Sequence, residues 1–355
     1  MKTLEQFTRS LESVPASTAW YLGDLGEAKG RQEMFIRQSP QRLQVLREHA
    51  LIQSTISSNR IEGVEVDRAR VGTVLFGKAL LHDRPEEEVR GYREALSWIH
   101  ERGAKLPVSQ ETFLDLHRLS RGRIADAGKF KEKDGDIIET YPDGRSRVRF
   151  KPVPASETPR FVRELVEKWQ EFLDVRRVNP LVLLAAFNLD FLCIHPFRDG
   201  NGRVSRLLLL LQCYHLGFDV GRYVSLERLI EENKERYYET LETSSKEWHT
   251  GKHNPWPYIN YLLSVLKMAY LEFEERLGKV SATRGEKTAL VIQGVEKLSG
   301  DFSVAELQRQ CPGVSLDMIR RVLKDLRAAE RVECLGRGLK SKWRKTEHWE
   351  LGNTQ

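Results

Sequence analysis

Residues 181–194 form an almost unbroken apolar run, and a second run follows at residues 207–211. The short polar stretch between them, His195 to Arg206, contains Gly200 and Gly202, so the pattern predicts helix, tight loop, helix. Helical spacing also marks residues 109–120, 158–175, 179–194 and 203–216. Ser109 and Ser156 stand where N-caps belong, and Gly217 is placed to stop the helix after the loop. Further upstream, residues 1–100 read as mainly helical, with one helix from about Pro40 through Leu43, Leu46, Leu51 and Ile52 to a glycine stop at Gly63. Residues 128–154 break this periodicity. Strand-like segments at 136–141 and 147–150 flank Pro142-Asp143-Gly144-Arg145, which is turn chemistry and predicts a hairpin.

The pattern changes again near residue 281. Val280-Ser281-Ala282-Thr283-Arg284-Gly285 reads as a linker, followed by helices at 286–298, 303–310 and 315–329 and a strand at 331–335. The last two helices, joined through Cys311-Pro312-Gly313-Val314, have helix-turn-helix spacing, with residues 336–340 as a wing. The expected organisation is a mainly α protein: a helical region over 1–100, a core over 101–280 and a winged helix-turn-helix over 281–355.

Composition narrows the class. The chain has 355 residues, 40% of them hydrophobic, enough for a large core and two or three domains. No stretch approaches the ~20 apolar residues of a membrane span, and Met1-Lys2-Thr3-Leu4-Glu5-Gln6 lacks an apolar signal core. Cys193, Cys213, Cys311 and Cys334 show no metal-type spacing, and Cys193 and Cys213 lie in apolar helical runs as buried free thiols would, so a reducing compartment and a cytoplasmic location are expected. Residues 281–355 hold 14 Lys and Arg against 10 Asp and Glu, a net +4 of the chain's +6. Arg320, Arg321, Lys324 and Arg327 fall on the second helix of the helix-turn-helix, where such units contact nucleic-acid phosphates or bases, though winged-helix units also bind proteins or dimerise.

Each residue type in the central loop suits phosphate chemistry. A helix N-terminus presents unpaired N–H groups and a partial positive charge, and glycine lets the backbone approach an anion. Arg203 and Arg206 are three apart, on one helix face, placed to fork onto successive phosphates. Asp199 is a hard oxygen ligand of the kind that holds Mg²⁺ on a nucleotide. His195 has the side chain to take a proton from an attacking hydroxyl. The residues together describe a phosphoryl- or nucleotidyl-transfer loop.

The segment His195-Pro196-Phe197-Arg198-Asp199-Gly200-Asn201-Gly202-Arg203-Val204-Ser205-Arg206 resembles the Fic family signature, His-Pro-Phe-x-(Asp/Glu)-Gly-Asn-Gly-Arg-x-x-Arg, at every specified position. The resemblance implies a helical core over roughly the middle half of the chain that transfers AMP from ATP to a hydroxyl side chain of target proteins, with self-modification included. It implies His195 as general base, Phe197 as the loop's anchor and Asp199 as the Mg²⁺ ligand. Gly200, Asn201 and Gly202 would form the anion nest, with Arg203 near the β-phosphate and Arg206 near the γ-phosphate. Kinases similar to the Doc toxins have Lys where this chain has Gly202, so Gly202 favours adenylyl transfer.

Ser58-Asn59-Arg60-Ile61-Glu62-Gly63 resembles the family's inhibitory motif, (Ser/Thr)-x-x-x-Glu-(Gly/Asn). The resemblance implies that Ser58 and Glu62, four apart on one helical face, hold Arg206 and fill the space of the γ-phosphate, and it leaves removal of AMP open as a second activity. The hairpin resembles the family's flap, which pairs with an extended target segment; its Arg145, Arg147, Arg149 and Lys151 either favour acidic targets or are solvated surface. The resemblance places Tyr238 by the adenine, whereas an aromatic pair such as Tyr237-Tyr238 on a helix otherwise reads as core. The alternative function is a DNA-binding regulator with the Fic core as nucleotide sensor. The complete set of His195, Asp199, Asn201, Arg203 and Arg206 favours catalysis, since sensing needs no base. Homodimerisation is left open.

Overall fold

The computed structural model describes all residues except 10–12, 39, 68–69, 78–79, 123, 141–142, 279–285, 299, 312–313, 337–340, 347–348 and 350–355. Residues 1–274 form one compact unit and residues 275–355 a second. Among the described residues, no helix is long and apolar enough to cross a membrane.

The first unit begins with helices α1 (Lys2–Arg9), α2 (Ala16–Gln38), α3 (Pro40–Ile61), α4 (Val71–Phe76), α5 (Arg84–Arg102) and α6 (Gln110–Arg121). A hairpin of β1 (Ile137–Thr140) and β2 (Ser146–Phe150) follows, then α7 (Thr158–Val175), α8 (Pro180–Ile194), α9 (Asn201–His215), α10 (Leu226–Glu232), α11 (Lys234–Ser245) and α12 (Trp256–Gly278). The 203–216 helix thus begins two residues earlier than its pattern suggests, because Gly200 rather than Arg203 supplies the break.

Helix α8 is the axis of this unit. Apolar on every side, it has no solvent face to offer and is buried from Leu181 to Ile194. It packs against α1, α7, α9 and α11. Asn179 caps it, accepting from Leu181 N at 2.9 Å, and Pro180 occupies the first turn. Phe187 and Phe191 meet Phe113 edge-on at ring separations of 6.1 and 5.8 Å. Fully burying each such side chain contributes about 1.5–3 kcal/mol. The helix's two polar residues are satisfied. Asn188 donates to the Ser205 carbonyl at 2.8 Å and accepts from the Tyr258 hydroxyl at 2.8 Å. Asp190 accepts from Thr3 N, Leu4 N and the Trp248 indole at 2.9, 3.1 and 2.6 Å, which fastens α1 onto the core.

The hairpin pairs Ile138 with Val148, Glu139 with Arg147 and Thr140 with Ser146, with an irregularity between Ile137 and Ile138. Tyr141 and Pro142, assigned to its strand and turn, lie outside the described residues. Three of its arginines are internally paired rather than displayed for a partner, Arg145 with Asp143 of the turn at 2.6 Å. Arg147 contacts Glu139 at 2.7 Å and Glu242 at 3.0 Å, while Arg149 contacts Glu242 at 3.3 Å and donates to the Tyr238 carbonyl at 2.8 Å. These contacts dock the hairpin onto α11.

The second unit contains α13 (Glu286–Lys297), β3 (Phe302–Ser303), α14 (Val304–Gln310), α15 (Leu316–Ala328), β4 (Val332–Cys334) and β5 (Lys342–Lys345). Its antiparallel sheet has the order β3-β5-β4, and Val291, Phe302, Leu307, Ile319, Leu323 and Val332 share its core. A reciprocal Ser303–Glu306 capping box starts α14. The expected linker at 280–285, the Pro312-Gly313 turn and residues 337–340 of the wing lie outside the described residues.

Candidate active site

Helix α8 ends where the polar loop begins. His195 takes a left-handed conformation, φ 51°, and its N–H donates to the Phe191 carbonyl at 3.0 Å. Phe197 then turns inward, fully buried, and stacks on the His117 ring at 3.9 Å. His117 Nδ1 accepts from Gly128 N at 3.0 Å, which leaves Nε2–H to donate to the Asp199 carbonyl at 3.0 Å. Gly200, at φ 84°, admits the backbone to a region that other residues rarely adopt and starts α9. Asn201 closes the loop on itself: its Oδ1 accepts from Phe197 N at 2.9 Å and its Nδ2 donates to the Phe197 carbonyl at 2.8 Å. Its side chain is therefore spent on the loop's shape, and only its backbone is left to face an anion.

His195 is well suited to accept a proton. Burial lowers its pKa to about 4 and the Lys131 ammonium adds to the effect, while the Leu192 carbonyl, Glu62 and Asp199 oppose it. The ring is accordingly neutral near pH 7. Lys131 lies beside the loop, donating from Nζ to the Ile194 carbonyl at 3.1 Å and from its backbone N–H to the Pro196 carbonyl at 2.9 Å. Burial lowers its own pKa to about 8.

A cluster of arginines and carboxylates surrounds the start of α9. Glu88, buried on α5, receives Arg84 Nε at 2.9 Å, Arg121 Nη1 at 2.6 Å and Arg203 Nη1 at 3.0 Å. Asp199 Oδ2 receives Arg84 Nη2 at 2.8 Å and Arg121 Nη1 at 2.7 Å. Partial burial works against the Asp199 charge, but Arg121, Arg203 and Arg84 outweigh it and hold the carboxyl below its ordinary value. Among the described residues no three His, Cys, Asp or Glu side chains gather as a metal cluster. Asp199 is a lone, half-exposed carboxylate oxygen donor. Such a donor set fits a cation held mostly by phosphate and water rather than by the protein.

Helix α3 delivers Ser58 and Glu62 to the same place. Arg206 donates from Nε to Ser58 Oγ at 2.8 Å, and from Nη2 to the Ser58 carbonyl at 2.9 Å and to Glu62 Oε1 at 2.8 Å. Burial alone would lower the Arg206 pKa, and Glu62 more than reverses this. Arg206 Nη1 is buried without a hydrogen-bond partner, a donor in want of an acceptor. A Cβ at Gly202 would sit 2.2 Å from Glu62 Oε1, so a side chain there would oblige this carboxylate to shift.

Glu62, His195, Gly202, Tyr238, Arg149 and Phe150 line a cavity of about 370 Å³ beneath the hairpin, a size that suits a small-molecule ligand. Arg149 lies over the Tyr238 ring at 5.1 Å, whereas Tyr237 is buried against Tyr258 and Tyr261 at ring separations of 6.0 and 5.8 Å. A second space of about 510 Å³ opens on the far side of Glu62 and is lined by Arg84, Glu88, Asp199 and Arg203. The structure thus brings His195, Asp199, Gly200, Asn201, Gly202, Arg203, Arg206, Ser58, Glu62 and Tyr238 around one locus. Sequence reasoning missed Arg84, Glu88, Arg121, His117 and Lys131. One signal for Glu88 was present: it shares a helical face with Tyr92, Ala95 and Ile99, a stripe that is otherwise apolar.

Residues 107–213 match the Fic/DOC family. The protein adenylyltransferase Fic of Nematostella vectensis is 26% identical over 179 residues, covering 48% of this chain and 39% of that protein. The chain thus spans well under half the length of that relative. A Fic family protein from Desulfovibrio desulfuricans has the same fold, with a TM-score of 0.65 at 22% identity over 97% of this chain and 98% of its own. A Fic domain containing signaling protein from Bacteroides thetaiotaomicron aligns with a TM-score of 0.58 at 19% identity, over 72% of this chain and 97% of its own.

Proposed function

We propose, from the match of residues 107–213 to the Fic/DOC family, that this chain transfers AMP from ATP to a hydroxyl side chain of a target protein, itself included. The observation that carries the reading is the neutral, buried His195 at the wall of a cavity whose floor is the glycine-rich start of α9. In the reaction, His195 takes the hydroxyl proton as the oxygen attacks the α-phosphorus. A new P–O bond to the target forms, the bond from the α-phosphorus to the α,β-bridging oxygen breaks, and pyrophosphate leaves. Arg206, with Nη1 unpaired, is the cation placed for the terminal phosphate. Tyr238 forms a wall for the adenine in the cavity under the hairpin. Asp199 would hold Mg²⁺, which when bound neutralises phosphate charge.

Glu62 holds this activity down in the same reading. It claims Arg206 Nη2 and stands against Gly202, where the nucleotide's phosphates must lie. Full-length protein is incubated with ATP labelled at the α-phosphate and Mg²⁺, with and without host lysate. Glu62→Gly is expected to raise label incorporation at least tenfold, and adding His195→Ala to abolish it. Equal, low incorporation by wild type and Glu62→Gly discards the brake; high incorporation without His195 discards the base.

The second unit favours a further role. Arg320, Arg321, Lys324 and Arg327 are all exposed on α15, the face a winged helix-turn-helix lays on DNA. A mobility shift with random duplex DNA, weakened by raising salt and by Lys324→Ala with Arg327→Ala, is the expected result; no shift at low salt rejects it.

A further inference from the structure

Asp199 is not a free ligand in this structure. Its Oδ2 accepts from Arg84 and Arg121 at 2.8 and 2.7 Å, its Oδ1 accepts from Gly200 N at 2.6 Å, and Arg203 stands 3.8 Å from Oδ1. The two guanidiniums on Oδ2 differ in freedom. Arg121 is buried and fixed between Glu88, Asp126 and Asp199. The Arg84 side chain is 58% exposed, at the start of α5, and lines the open space of about 510 Å³ with Glu62, Asp199 and Arg203. Its Nε is anchored on Glu88 at 2.9 Å, which leaves Nη2 as the contact able to move.

Charge makes that contact consequential. Arg84, Arg121, Arg203 and Arg206 face four carboxylates, Glu62, Glu88, Asp126 and Asp199. Asp199 is already compensated by Arg84 and Arg121, so a free divalent cation must displace a guanidinium to reach it, whereas a nucleotide's phosphates offer that guanidinium another anion. We propose that Arg84 keeps free divalent cations off Asp199 and yields it only to a cation arriving with a nucleotide, whose polyphosphate tail Arg84 then binds. The nucleotide as ligand rests on the adenylyl-transfer reading; the gating by Arg84 rests on the contacts above.

The test reads binding rather than transfer, so its failure and the failure of the transfer reading are distinguishable. Mn²⁺ is titrated into the nucleotide-free full chain and followed by the resonance signal of the free ion. Binding of α,β-methylene-ATP with Mg²⁺, which cannot release pyrophosphate, is followed by calorimetry. Removing one positive charge next to a divalent ion changes its affinity by roughly tenfold at near-aqueous screening. Arg84→Gln is therefore expected to bind Mn²⁺ about tenfold more tightly than wild type and Mg²⁺–α,β-methylene-ATP about tenfold more weakly. Arg84→Lys keeps the charge but loses the fork, so it should match wild type for Mn²⁺ and fall between the two for the nucleotide. Unchanged Mn²⁺ affinity in Arg84→Gln, or both affinities moving in the same direction, overturns the proposal.

Discussion

At His195 one residue joins two demands: a left-handed backbone that ends α8, and an imidazole that stays unprotonated. Its pKa of about 4 implies that transfer by Glu62→Gly is nearly flat from pH 6 to 8 and declines only as pH falls through about 4 to 5. Initial rates across pH 5–8 check this; a decline already under way at pH 6.5 would show an ordinary imidazole. Asp199→Ala should lower transfer on the order of 100-fold and weaken its dependence on Mg²⁺, measured as rate against metal concentration. The residues responsible were legible because they are contiguous, and a run of twelve positions fixes its own geometry. Glu88, Arg84 and Arg121 were not. They come from α5 and α6, and an acidic residue on a helix looks like solvated surface until its neighbours in space are known.

At the scale of elements, α3 is held by more than Arg206. Ser54, one turn before Ser58, donates to Glu227 Oε2 at 2.6 Å, and Tyr92 on α5 donates to Glu227 Oε1 at 2.9 Å. Glu227 is buried, so Glu227→Ala leaves the Tyr92 hydroxyl without its acceptor and Ser54 with Ser225 Oγ at 2.9 Å, and is expected to cost about 1–3 kcal/mol. Urea unfolding of the full chain followed by tryptophan fluorescence measures it. An unchanged midpoint would show that Glu227 contributes nothing to the seating of α3. Helices α8 and α9 could be read from apolar runs and glycine breaks, because burial on all sides leaves a continuous signature. Segment α1 could not. Its attachment depends on Asp190, a single carboxylate inside an apolar run that gives no hint of which backbone it will bind.

The molecule as a whole buries imidazoles in neutral form. Burial lowers the pKa of His100 to about 3 and of His117 and His195 to about 4. These groups bind a proton in the unfolded chain below about 6.5 but resist it when folded. Their contribution to stability is complete above that value and is lost as pH falls toward 4. Each contributes a slope of at most about 1.4 kcal/mol per pH unit in that window. The expected outcome is a Tm that falls steadily from pH 7 to 4.5, with proton uptake on unfolding detectable by calorimetry in buffers of different ionisation enthalpy. Glu86, with its carboxyl lowered to about 2 through Arg70, acts in a separate window below its ordinary value. A Tm constant from pH 7 to 5 would mean that the three rings are already open to water.

The bare backbone at Gly202 has a consequence for how such a chain can change. Glu62 and Gly202 are far apart in sequence, yet a side chain at 202 would strike the carboxylate at 2.2 Å. A mutation that places a side chain at 202 therefore obliges the Glu62 carboxylate to shift in the same step. The two positions are thus coupled through space: a substitution at one is felt at the other.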